Sequence, residues 1–176
     1  MPYVTLQQLA ERPGALDLAA LASAEHEALV EADLMDASLR GADRSAWSVE
    51  QRAAADAAIA RIQDAVAEAD ALIDGFLTQR GYVLPLDLAP MGAAVAMLSG
   101  WSRAITRYLL SKNRISDESK DPVARDYRDA LKLLRLVAEG KFGLGLAEPV
   151  PPASGTDVRF DGAPNVFGRD QLGAFR

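Results

Sequence analysis

Cysteine is missing from all 176 residues, and histidine occurs once, at His26. The first absence excludes disulfides, thiolate metal sites and a cysteine nucleophile, and it fits a reducing compartment. The second leaves a Ser-His-Asp triad or a histidine-rich metal centre with almost nothing to work with, since His26 sits between Glu25 and Glu27 in an acidic run. No window approaches the roughly 18 apolar residues that a membrane span needs. The opening MPYVTLQQLAERPG carries no basic region followed by an apolar run. The chain reads as cytosolic and unanchored. Neither G-x-G-x-x-G nor G-x-x-x-x-G-K-[ST] occurs, so nucleotide binding has no support and no cofactor is expected.

A formal net charge of -6 argues against general affinity for nucleic acid, whose phosphates demand clustered Lys and Arg. The distribution is uneven. Ala15 to Asp74 holds 13 acids against 4 bases, whereas Trp101 to Lys141 holds 10 bases against 6 acids. One explanation is two solvated helix faces. The other is that unlike faces of neighbouring copies meet in an oligomer, where charge complementarity sets register.

With about half its residues apolar, a chain of this length buries one core. Three segments carry helical periodicity. Ile59, Ile62, Val66, Ala69, Ile73 and Phe76 recur at spacings of three and four, behind a capping box of Ser48 and Gln51, which predicts a helix from about Val49 to Thr78 stopping near Gly81. Val95, Leu98, Trp101, Ser102, Ile105, Tyr108 and Leu109 mark a second helix between Pro90 and Asn113, with small residues on its flank. Val123, Tyr127, Ala130, Leu131, Leu134 and Val137 mark a third, started by Asp121-Pro122 and stopped at Gly140. Upstream, two alanine-rich stretches read as helical, with Thr5 and Asp17 as candidate caps and Pro13-Gly14 interrupting. The predicted fold is all-α: a helical bundle over residues 1–146, followed by a long irregular C-terminal arm over 147–176.

That arm is rich in proline and glycine and has no sustained period, yet it carries spaced apolar anchors, which disordered linkers usually lack. It reads as a segment that orders by docking on another surface, with Phe160, Phe167, Arg169, Leu172 and Phe175 as its contacts. The competing reading is that it folds back on its own domain.

Few residues suggest chemistry. Asp70 and Asp74 stand one helical turn apart, as a metal or acid/base pair could, but an exposed acid stripe beside an apolar seam is the ordinary outcome. The bases from Arg103 to Arg135 are interleaved with Asp126 and Asp129, which favours a solvated face or a protein contact over DNA binding. Trp101 and Tyr108 share the apolar stripe and read as core.

One ordered set of short motifs is more specific. Ile73, Asp74, Gly75, Phe76 and Leu77 end a helix; Tyr82, Leu84, Pro85 and Leu86 form a turn. Arg107, Tyr108 and Leu110 close the next helix, and Tyr127, Ala130, Leu131, Leu134 and Gly140 mark the last. Over roughly residues 53–146 this set resembles a family of small proteins encoded in Mu-like phages and prophages, and the closing FGRDQLGAF is similar to the family's C-terminal signature. The N-terminal third departs from the pattern.

Such proteins look like the head-to-tail adaptors of tailed phages. The resemblance implies a structural role without catalysis. It further implies a homo-oligomeric ring, twelvefold like the portal protein beneath which it sits, contacts to tail-side connector proteins, and DNA passing through the lumen without specific binding. The location implied is the neck of the virion, assembled in the host cytoplasm. A different class of reading is a regulatory module whose acidic helices bind a basic partner. A third, a metal-dependent enzyme built on Asp70 and Asp74, has too few ligands.

Overall fold

A computed structural model of the protein describes residues 2–23, 28–86 and 92–145. Among them the helices are α1 (Leu6–Leu9), α2 (Ala15–Ala22), α3 (Ala32–Arg40), α4 (Val49–Arg80), α5 (Gly92–Ser111) and α6 (Pro122–Ala138), with no strand. The all-α expectation holds.

The long helix α4 begins and ends where local chemistry dictates. Gln51 N–H donates to Ser48 Oγ at 3.2 Å while Ser48 N–H donates to Gln51 Oε1 at 2.9 Å, satisfying two of the donors that a helix start leaves open. At the other end Gly81 takes φ +97, a left-handed conformation that a side chain would resist, and the chain turns away. Its 32 residues make a rod of about 48 Å at the usual helical rise. The α6 start is equally local: Asp121 Oδ1 accepts from the Val123 and Ala124 N–H groups at 2.7 and 3.2 Å, with Pro122 in the first position. Thr5 caps α1 with a second capping box, built with Gln8. Asp17 does not cap: Gly14 occupies that place before α2, and Asp17 lies within the first turn. The break ahead of α2 falls at Arg12, extended at φ -153 and ψ 115, because a residue preceding proline is driven out of the helical region.

Because α4 is so long, it serves two hydrophobic clusters. Its first half packs with α2, α3 and the N-terminal segment around Leu9, Leu18, Leu34, Met35 and Ile62, all fully buried. Its second half packs with α5 and α6 around Ile73, Leu77, Leu98, Ile105, Leu134 and Val137. Each such side chain withdrawn from water contributes about 1.5–3 kcal/mol before entropy is charged against it. The α4–α5 turn joins the second cluster through buried Tyr82 and half-buried Leu84 and Leu86, with a cis peptide at Leu84–Pro85. Leu88 and Pro90 lie outside the described residues, as does His26.

Side chains then tie the N-terminal helices to the bundle. Arg61 donates to the Ala22 carbonyl at 2.8 Å, and Arg114 donates to the carbonyls of Ala20 and Ser23, so two guanidinium groups rest on the negative end of α2. Arg107 pairs with Asp17 at 3.1 Å. Two bases of the basic stretch, Arg107 and Arg114, thus act as internal struts.

Candidate interaction surfaces

Tyr3 is held on three sides where the N-terminal segment crosses between α4 and α5. Its backbone N–H donates to Asp70 Oδ2 at 3.2 Å, and its phenol donates to Asp74 Oδ1. Its carbonyl accepts from Ser99 Oγ at 2.6 Å, and Ser102 Oγ donates to the second oxygen of Asp70 at 2.8 Å. Spacing explains the convergence. Asp70 and Asp74 are one turn apart on α4, Ser99 and Ser102 one turn apart on α5, so each helix offers two polar groups to one extended segment.

Electrostatics follow from the burial. Withdrawal from water, and then the hydrogen bond and charge of Asp74, push the Tyr3 phenol well above its ordinary range, so it stays protonated and donates. Desolvation also raises the Asp70 carboxyl, with the Asp74 charge acting in the same direction; hydrogen bonds from Ser102 and the Tyr3 N–H pull against it. The expectation of an exposed acid stripe is thus corrected at this point: Asp70 and Asp74 are half-buried, because a segment far away in sequence covers them. Both Asp70 oxygens accept bonds from the protein itself, which suits a clamp rather than a metal ligand. Among the described residues, no cluster of three or more His, Asp or Glu is placed to hold a metal ion.

Beside this clamp runs an open groove of about 990 Å³, floored by apolar side chains such as Val4, Leu6, Leu39 and Val66 and edged by Arg40 and the two aspartates. A second concavity, about 470 Å³, lies across the molecule between the Arg12–Pro13 break, α5 and α6. Arg12, Arg103 and Arg107 line it together with Asp17 and Asp126.

The motif residues fall in one region. Ile73, Leu77, Tyr82 and Leu134 are buried in the second cluster, and Phe76, Leu84, Leu86, Tyr127 and Leu131 pack half-buried against it. Pro85 is exposed in the turn and Gly75 is exposed on α4 with open space around it. Gly140 ends α6 at φ +71, where an added Cβ would meet the Arg80 guanidinium at 3.1 Å. Trp101 is core, as expected, tilted against Phe142. Tyr108 is not: it is half-exposed, stacks parallel on Tyr127 with ring centroids 4.0 Å apart, and donates its hydroxyl to Glu118 at 3.0 Å. Phe160, Phe167, Arg169, Leu172 and Phe175 lie outside the described residues. Sequence reasoning missed the roles of Tyr3 and Ser99, which acquire their partners only through tertiary packing, and the meeting of Arg12 with Arg103 in one concavity.

The family described as "Bacteriophage Mu, Gp36" matches residues 3–160. The chain belongs to that family. A curated relative, the "Mu-like prophage FluMu protein gp36" of Haemophilus influenzae, is 33% identical over 140 residues, covering 78% of this chain and 89% of the relative. No solved structure gives a significant match. The Gp36 match reaches further in both directions than the motif set does. It takes in the N-terminal segment that bears Tyr3, and so the whole clamp falls inside the region shared with the Gp36 family.

No helix among the described residues is long and apolar enough to cross a membrane.

Proposed function

We propose that this chain is a structural adaptor of a phage head-to-tail connector. Its copies form a ring, twelvefold to match the portal protein, below which it sits in the neck of the virion, and the ring carries the tail-side connector components. The role is structural, without catalysis, and DNA passes through the lumen without being held. The observation that carries the reading is membership of a phage Mu protein family over residues 3–160, joined to an all-helical body of the kind such adaptors use. The exposed face and net charge of -6 suit a surface along which DNA slides. The C-terminal arm, residues 147–176, supplies the contact to the portal or to the neighbouring subunit, with Phe160, Phe167, Arg169, Leu172 and Phe175 as anchors.

The test is to image, by negative stain, the purified chain mixed with the portal protein encoded beside it, against portal alone. Extra ring density on one face of the portal supports the adaptor. Unchanged portal particles, with the chain free and folded, overturn it and favour a helical binding module instead.

A further inference from the structure

The concavity of about 470 Å³ at the Arg12–Pro13 break brings together cations that the fold leaves without an equal number of anions. Arg107 is satisfied by Asp17, with contacts of 3.1 and 3.2 Å to the same oxygen. Asp126, the other acid of the wall, lies 3.5 Å from Arg125. Arg103 differs: its Nε is closed off from solvent and has no hydrogen-bond partner among the described residues. Burial, and then the positive charge of Arg12, make the protonated form of Arg103 harder to hold than usual, with Glu11 offsetting only part. Two guanidinium groups of like charge thus border one hollow open to a ligand, and the Nε of one of them is closed off from water. A guanidinium nitrogen that has lost water and gained no acceptor is a position that an oxyanion can fill.

We propose that the Arg12–Arg103 hollow seats a carboxylate, the side chain of an aspartate or glutamate presented by a neighbouring protein chain. The geometry favours a single carboxylate over nucleic acid. A phosphate backbone needs a run of cations along its length, whereas this is one pit whose wall carries Asp17 and Asp126, each of which would repel a polyanion. A carboxylate entering between two guanidinium groups engages fork-like donors and meets one negative neighbour at a time. The chain itself bears exposed acids along α3 and α4, so a second copy has suitable side chains to offer. The inference stands on Arg12 and Arg103 and does not depend on where in a virion the chain sits.

The full-length chain, labelled for observation of arginine Nε–H resonances, is titrated at constant ionic strength with a capped Gly-Asp-Glu-Gly peptide. The controls are its Gly-Asn-Gln-Gly analogue and a short DNA duplex. A saturable shift of the Arg103 resonance with the acidic peptide, absent with the amide analogue, is expected. Arg103→Gln removes that resonance, so in this variant binding is read from the Arg12 Nε–H, and it should be at least tenfold weaker with unchanged helical content. Arg12→Gln, at an exposed position, provides an independent variant and should also weaken binding severalfold. A shift that never saturates, or that the amide analogue reproduces, overturns the site. A duplex that saturates the same resonance more tightly than the peptide overturns the carboxylate assignment in favour of phosphate.

Discussion

Tyr3 and Asp74, 71 positions apart, share a hydrogen bond between phenol and carboxylate, and it fixes the first residues of the chain to the last turns of the longest helix. Around it Asp70, Ser99 and Ser102 satisfy the remaining polar atoms of the crossing. The crossing sits where the two hydrophobic clusters adjoin along α4, with Val4 in one and Tyr3 in the other. One short segment therefore links both halves of the core.

Tyr3→Phe keeps the ring and removes the hydroxyl, leaving Asp74 without that donor. A hydrogen bond to a charged group at a half-buried site is worth about 1–2 kcal/mol, and the variant should lose that much in urea unfolding. Asp74→Asn, combined with Tyr3→Phe in a double-mutant cycle, should show a coupling well above the roughly 0.3–0.5 kcal/mol expected of independent sites. Additive losses would mean that the bond contributes nothing of its own.

Asp70 makes a prediction in pH. Its folded pKa is raised, chiefly by desolvation, so the folded chain holds this proton more tightly than the unfolded chain does. The resulting stability is present below the unfolded pKa of about 4 and is lost as pH rises through the folded value. Asp70→Asn has no such proton to lose. Measured by urea midpoints, the variant should gain on the parent protein as pH is raised from about 4 towards 7. A gap that is constant, or that moves the other way, would show that the bonds from Ser102 and Tyr3 outweigh burial.

What the sequence makes legible is whatever is decided within a few residues. The Ser48–Gln51 capping box, the Asp121-Pro122 start and the Gly81 stop each depend on neighbours in the chain, and the apolar stripes of α4, α5 and α6 repeat with the helical period. The clamp depends on which face of α4 a distant segment covers, and Tyr3 carries no periodic signal that says so. Asp17 looked like a cap for the same reason, and its ion pair with Arg107, made across the fold, has no local trace. Tyr108 follows the apolar stripe of α5 but lies near that helix's end, where α6 offers Tyr127 to stack on rather than a closed core.

Two glycines, Gly75 and Gly140, should respond oppositely to alanine. Gly140 combines φ +71 with an Arg80 guanidinium 3.1 Å from where a Cβ would stand, so Gly140→Ala should cost about 1–2 kcal/mol. Gly75 sits inside α4 with nothing within 4 Å, and Gly75→Ala should stabilise by about 0.5–1 kcal/mol through helix propensity. Thermal melts of both variants check the pair. If Gly75→Ala also impairs assembly with the portal while raising the melting temperature, the open space at Gly75 is occupied by a partner.

Removing residues 147–176 separates the two readings of the arm. Among the described residues both clusters are closely filled by side chains between residues 3 and 144, and if these suffice for the core the truncated chain should keep its helical content and melt within a few degrees of the parent. If the arm docks on the portal or on a neighbouring subunit, the same truncation should abolish ring density on the portal. The two measurements fail differently. A truncated chain that unfolds has lost a piece of its own core, and the docking role of Phe160, Phe167 and Phe175 falls with it. A truncated chain that stays folded and still decorates the portal shifts the contact to the helical body, where the groove beside Tyr3 becomes the surface to alter next.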